Sequence, residues 1–165
     1  MLYARVGDEI VLHGSPLSRV LGLAGEGRPL CFTVTVLDGL VLARSAFHHS
    51  LNYRSVVVLG PARVVSEPER KHAALRALVD HIVPGRADDV RGPSDEELAA
   101  TEVVVMALDE ASAKLRTGPP VDAAEDYALP VWAGVVPLRR VAGAPVPDGR
   151  CAAPLPAYLD DGVRT

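Results

Sequence analysis

Residues 31–65, CFTVTVLDGLVLARSAFHHSLNYRSVVVLGPARVV, decide how this chain folds. CFTVTVL alternates apolar and polar positions like a half-buried strand. Asp38-Gly39 is a strong signal for a tight hairpin, so a turn is expected there with LVLARSAF as the returning strand. YRSVVVLGPARVV is long enough to cross a sheet and is expected to bend at Gly60-Pro61. GLVLA and SVVVLG are apolar at consecutive positions, which in an antiparallel sheet means that both faces are covered. Too few helices are foreseen to supply the second cover, so a second copy of the chain is expected to do so in a homodimer.

Working outward, MLYARV and EIVLH read as strands joined by a tight turn at Gly7-Asp8. SEPERKHAALRALVDHIV, residues 66–83, reads as a helix with a Ser66/Glu69 capping box and Pro68 in its first turn. Ala74, Leu75, Leu78, Val79 and Ile82 recur at helical spacing, and Pro84-Gly85 ends the element. A shorter helix is expected from Ser94, with a second capping box to Glu97. TEVVVMAL then returns to strand, and VWAGVVPL supplies a last one. Strands with helices segregated between them indicate an α+β, mainly β, small barrel with short helices. Residues 1–140 are expected to form this domain and residues 141–165 a Pro-rich tail.

Composition narrows the function. Of 165 residues 48% are apolar and 23% charged, and the formal charge is −4 with no basic block, so a phosphate-neutralising surface for nucleic acid is not expected. No apolar run approaches the roughly 20 residues of a membrane helix. Cys31 and Cys151 are far apart and no secretion signal accompanies them, which points to the cytoplasm and to neither a disulfide framework nor a Cys-rich zinc site.

Three polar groups could carry chemistry. His48 and His49, if they continue a strand, face opposite ways with no further ligand at a useful spacing, so no metal site is expected. Beyond them Tyr53 and Ser55 share one strand face and Arg54 the other, either as an ordinary strand mouth or as donors aimed at a ligand. In HGSPLSRVLGLA, residues 13–24, Ser15 is a natural N-cap and Pro16 a natural first helical residue, with Ser18 and Arg19 in the first turn. That corner reads either as a capped helix with a solvent-exposed Arg or as a seat for a phosphate monoester. In AKLRTGPPVDAAEDYALPVWAGVVPL, Lys114, Arg116 and the lone Trp132 read as a wrapping tail with an aromatic anchor. A G-x-S-x-G elbow, a P-loop, a dinucleotide fingerprint and paired carboxylates are all missing, so acid–base or nucleophilic enzymology has no clear residues.

Together LHGSPLSRVL, the stretch 31–65 and AKLRTGPPVDAAEDYALPVWAGVVPL resemble the FMN-binding split-barrel family related to pyridoxamine 5′-phosphate oxidase, and within it the nitroimidazole-reductase-like branch. The resemblance implies a dimeric split barrel with FMN at the subunit interface, and an FMN-dependent oxidoreductase acting on a small molecule. It places His13, Ser15, Ser18 and Arg19 at the flavin phosphate and ribityl chain, adds Ser55, Asn52 and Arg54 as further cofactor contacts, and makes His13 the candidate catalytic residue. A deazaflavin could replace FMN. Haem-binding relatives make a non-catalytic flavin or haem protein the alternative, with His48 or His49 as axial ligand, and a ligand-free dimer a further one. Relatives usually carry a helix and strands before the segment matching LYARVGDEIVLHG, so the expectation is either a start placed too late or a shortened form with an open barrel edge and an incomplete flavin site.

Overall fold

A computed structural model describes residues 1–159; the last six residues of the expected tail lie outside the described residues. The strands are β1 (Tyr3–Val6), β2 (Glu9–Gly14), β3 (Pro29–Leu42), β4 (Ser50–Val64), β5 (Glu102–Ala107), β6 (Ala111–Arg116) and β7 (Gly134–Pro137). The helices are α1 (Arg19–Gly25), α2 (Pro68–Ile82), α3 (Arg86–Asp89) and α4 (Asp95–Ala99). All the registered pairs are antiparallel. The order is β1-β2-β5-β4-β3-β7, with β6 also on β4. The fold is α+β and mainly β.

The hairpin expected at Asp38-Gly39 does not form, because β3 runs straight through it for 14 residues. Gly39 is needed there for a different reason. A Cβ on it would meet Val135 Cγ1 at 3.0 Å and the Val136 carbonyl at 3.2 Å, so glycine lets β7 approach the strand. Asp38, freed from any turn, accepts two hydrogen bonds from Arg54, both 2.9 Å. β4 passes Gly60, at φ +146°, without a break; it pairs with β6 through Tyr53–Val58 and with β5 through Ala62–Val64.

Two helix starts also differ from the pattern. Ser15 does not cap α1. Its carbonyl accepts from the Ser18 N–H at 2.9 Å and its hydroxyl from the Leu17 N–H at 3.2 Å, closing a turn with Pro16 at the second position, which the fixed φ of proline favours. The helix begins three residues later, with Ser18 at its N-cap. At α2 the first helical bond runs from Lys71 N–H to the Glu67 carbonyl. This puts Pro68 at the first helical position and leaves Ser66 one residue too early for a capping box. The box at Ser94/Glu97 forms as the sequence suggests. Gly7, at φ +59°, makes the turn between β1 and β2.

The chain divides into two compact units. The first comprises residues 1–30, 59–110 and 141–165, and its core joins Ala4, Val11, Val103 and Val105 of the sheet to Ala74 and Leu78 of α2. β5 is buried at four consecutive positions, Val103 to Met106, so this strand is covered on both faces. The second unit comprises residues 31–58 and 111–140, carrying β6, β7 and most of β3 and β4. Here Val41, Ala43 and Val58 are buried, whereas Leu40, Val56 and Leu115 remain exposed.

Candidate functional site

In the first unit a cavity of about 650 Å³ opens between β2, α2 and the segment 87–93. α2 faces it with His72, Leu75, Arg76, Val79 and Ile82, a stripe that recurs every three or four residues and so shares one side of the helix. From β2 comes His13, whose backbone lies opposite Val103; the ring is half-buried, and its Nδ1 is buried without a hydrogen-bond partner. The far wall is held in place by ion pairs and by the tail. Arg76 bonds Asp88 and the Ala87 carbonyl, and Ala87 N–H donates to Asp80 at 2.9 Å. Arg91 grips Glu97 with two bonds of 2.7 and 2.6 Å, while Tyr158 accepts from Arg86 at 2.8 Å and donates to Asp89 at 2.6 Å. The Arg91 guanidinium, with help from the Ser94 backbone N–H, holds the Glu97 carboxyl down at about 2.

The other sequence-derived candidates of this unit lie on the corner after β2. Ser15 and Arg19 are exposed and Ser18 half-buried, and among the described residues Arg19 makes no ion pair. α1 packs close behind them, since a Cβ on Gly14 would meet Leu21 Cδ1 at 3.0 Å.

In the second unit Asn52 is buried, donating to the Gly118 carbonyl at 3.1 Å and accepting from Arg116 at 2.6 Å. Arg54 is committed to Asp38, whose carboxyl it holds below the usual carboxylate range. Ser55 shares a 2.8 Å hydrogen bond with Thr35. His48 and His49 do not continue a strand. Residues 46–48 form a 3₁₀ turn, and both rings fold back on Ser45, His48 Nδ1 to its hydroxyl at 2.8 Å and His49 Nδ1 to its carbonyl at 2.9 Å. Asp122 anchors this turn by accepting from the Arg44 backbone N–H at 2.9 Å and from its guanidinium at 3.0 Å. Burial pushes the Asp122 carboxyl up, but the hydrogen bonds from Arg44 and Ser45 outweigh it and the net direction is downward. His48, Asp122 and Asp126 offer atoms within 4.8 Å of one another, yet both Asp122 oxygens already serve Arg44, whose positive charge disfavours a cation there.

Sequence reasoning missed His72, Arg76 and Arg91. The first two are exposed positions of α2, where an imidazole and a guanidinium four residues apart look like ordinary surface side chains. Arg91 carries no signal either.

The pyridoxamine 5′-phosphate oxidase family matches residues 1–115. The chain belongs to the pyridoxamine 5′-phosphate oxidase family. Two solved structures resemble this family member along nearly its whole length. The FAD and heme binding protein from Mycobacterium smegmatis is 43% identical over 98% of the chain and 80% of its own, with a TM-score of 0.91. The flavocytochrome Anf3 from Azotobacter vinelandii is 41% identical over 97% of the chain and 75% of its own, with a TM-score of 0.90. A putative 5-nitroimidazole antibiotic resistance protein from Bacteroides thetaiotaomicron, 19% identical over 68% of the chain and 64% of its own with a TM-score of 0.53, shares the fold alone. No curated protein matches. The split-barrel expectation is thus met. Among the described residues no helix is long and apolar enough to cross a membrane.

Proposed function

We propose that this chain is a flavin-dependent redox protein that also holds haem, working as a homodimer in the cytoplasm on a small-molecule partner. The observation that carries the haem half is the cavity beside α2. Its volume of about 650 Å³ lies within the roughly 300–1,000 Å³ of small-molecule sites, its wall is mainly apolar, and it holds two imidazoles and two guanidiniums. An iron porphyrin asks for that set: an apolar slot, a nitrogen ligand and cations for its carboxylates. The two structures over 40% identical, one a flavocytochrome and the other binding FAD and heme, support the same reading.

Bound flavin and haem would supply electron transfer, which the side chains cannot perform themselves. The chain's own residues bind, orient and exclude water. His13 and His72 are the residues that would hold the iron. They take precedence over His48 and His49 because they line the cavity and those two do not. His13 enters the cavity wall from β2 with a half-buried ring, and its buried Nδ1 makes no hydrogen bond. Leu78 and Val79 keep water from the slot. We assign the flavin phosphate to the exposed corner of Ser15, Ser18 and Arg19, where two hydroxyls accompany an uncommitted guanidinium. FAD, as in one of the two relatives, competes with FMN for that role, with a deazaflavin as the third choice.

Absorption spectra test both halves. Protein reconstituted with haemin should show a Soret band that shifts or vanishes in His13→Ala or His72→Ala and survives in His49→Ala. Separately, Arg19→Ala should release flavin without disturbing the Soret band. Flavin bands without any Soret band would remove the haem half, and a preparation indifferent to FMN, FAD and haemin would remove the whole proposal.

A further inference from the structure

We infer that Arg76 and Arg91 form a paired carboxylate clamp at the α2 cavity, making it selective for a flat apolar ligand that bears two acid groups; this rests on the haem reading above. Both guanidiniums line the cavity, one from α2 and the other from the segment ahead of α4. Neither is free to swing. Arg76 is tied to α3 through Asp88 and the Ala87 carbonyl, while Arg91 is tied through Glu97 and the Gly92 carbonyl at 3.0 Å. Each guanidinium has five N–H donors, and the Nε of each makes no bond among the described residues. A ligand carboxylate can therefore be taken on without breaking the existing pairs.

The alternative, that these arginines serve only to fasten α3 and α4, is weakened by their exposure. The Arg76–Asp88 and Arg91–Glu97 pairs are between half and three-quarters exposed, and ion pairs in that setting contribute little to stability. What the carboxylates do accomplish is to hold two long, flexible side chains in fixed directions before a ligand arrives, which lowers the entropy lost on binding. Asp88 in the lining is answered by Arg76 and Glu97 by Arg91, so what the rim offers an anion is the remaining N–H donors of the two guanidiniums.

The decisive comparison is haemin against haemin dimethyl ester, titrated into the ligand-free chain and followed by absorbance. Wild type should prefer the diacid by at least tenfold, and the preference should shrink as salt is raised. In Arg76→Gln/Arg91→Gln the two forms should bind alike, with the Soret position unchanged because iron ligation is untouched. Lysine at either position should restore part of the preference, and the ligand-free melting temperature of the double variant should stay close to wild type. Equal binding of acid and ester by wild type, or undiminished preference in the double variant, overturns the clamp while leaving the haem reading standing. No binding of haemin by wild type overturns both.

Discussion

The two units of the chain handle their apolar side chains in opposite ways. In the first, Val103 and Val104 are fully buried and Met106 and Leu78 nearly so, at 1% and 3% exposed. In the second, Val41, Ala43 and Val58 are buried, while Leu115 and Trp132 are each 66% exposed and Val131 49%. Fully burying a side chain of this size is worth about 1.5–3 kcal/mol, and most of the buried apolar side chains lie in the first unit, although it too leaves Leu17, Val141 and Val146 more than 80% exposed. The first unit is built round a shared core, and the homodimer we propose would cover the open apolar positions of the second.

Substitutions can break or sharpen that contrast. The largest effect belongs to the shared core: Met106→Ala should lower stability by about 2–5 kcal/mol, read from urea unfolding, whereas Leu129→Ala, on the open face, should cost under 1 kcal/mol in a dissociated chain. Next comes the open face as an interface. Leu115→Asp should shift a wild-type dimer to monomer in sedimentation, with loss of roughly 2 kcal/mol or more of association free energy. A wild type that sediments as monomer at all concentrations would instead erase the contrast.

Gly39→Ala should cost about 1–3 kcal/mol, because its Cβ would press on β7 inside the second unit, whereas Gly22→Ala meets nothing within 4 Å and should be neutral or better. Smallest are the helix ends of the first unit: Ser94→Ala should cost about 1 kcal/mol and Ser66→Ala under 0.5, in thermal melts. The Glu97 carboxyl adds a pH signature to that end. Held at about 2 in the fold and near 4.5 when unfolded, this exposed and solvent-screened carboxyl contributes a small stability, present in full above roughly pH 5 and lost progressively as acid takes the pH toward 2. Glu97→Gln should flatten that acid slope.

Much of the fold was legible because it rests on local signals. The strands at 3–14 and 102–107, the turn at Gly7 and the cap at Ser94 are each decided by residues within a few positions of one another. The hairpin at Asp38-Gly39 was misread because the reason for that glycine lies nearly a hundred residues away, in the close approach of Val135 and Val136. The capping box at Ser66 gave way to Pro68, whose preference for the first helical position outweighed a side-chain bond. Among the site residues, the corner at 15–19 could be found from hydroxyls and a cation in sequence. The Asp122–Arg44 pair, 78 positions apart, left no trace in it. His13 was picked out by resemblance alone, and only its place in the wall of the same cavity as His72 gives it a physical reason.

One strand, β4, belongs to two ladders, keeping step with β6 through Tyr53–Val58 and with β5 through Ala62–Val64. A slip of one residue in either ladder would turn that length of β4 inside out, and the strand runs unbroken from one ladder to the other. Each pairing is therefore proofread by the other along a shared backbone, so a misaligned chain is caught before both ladders can close.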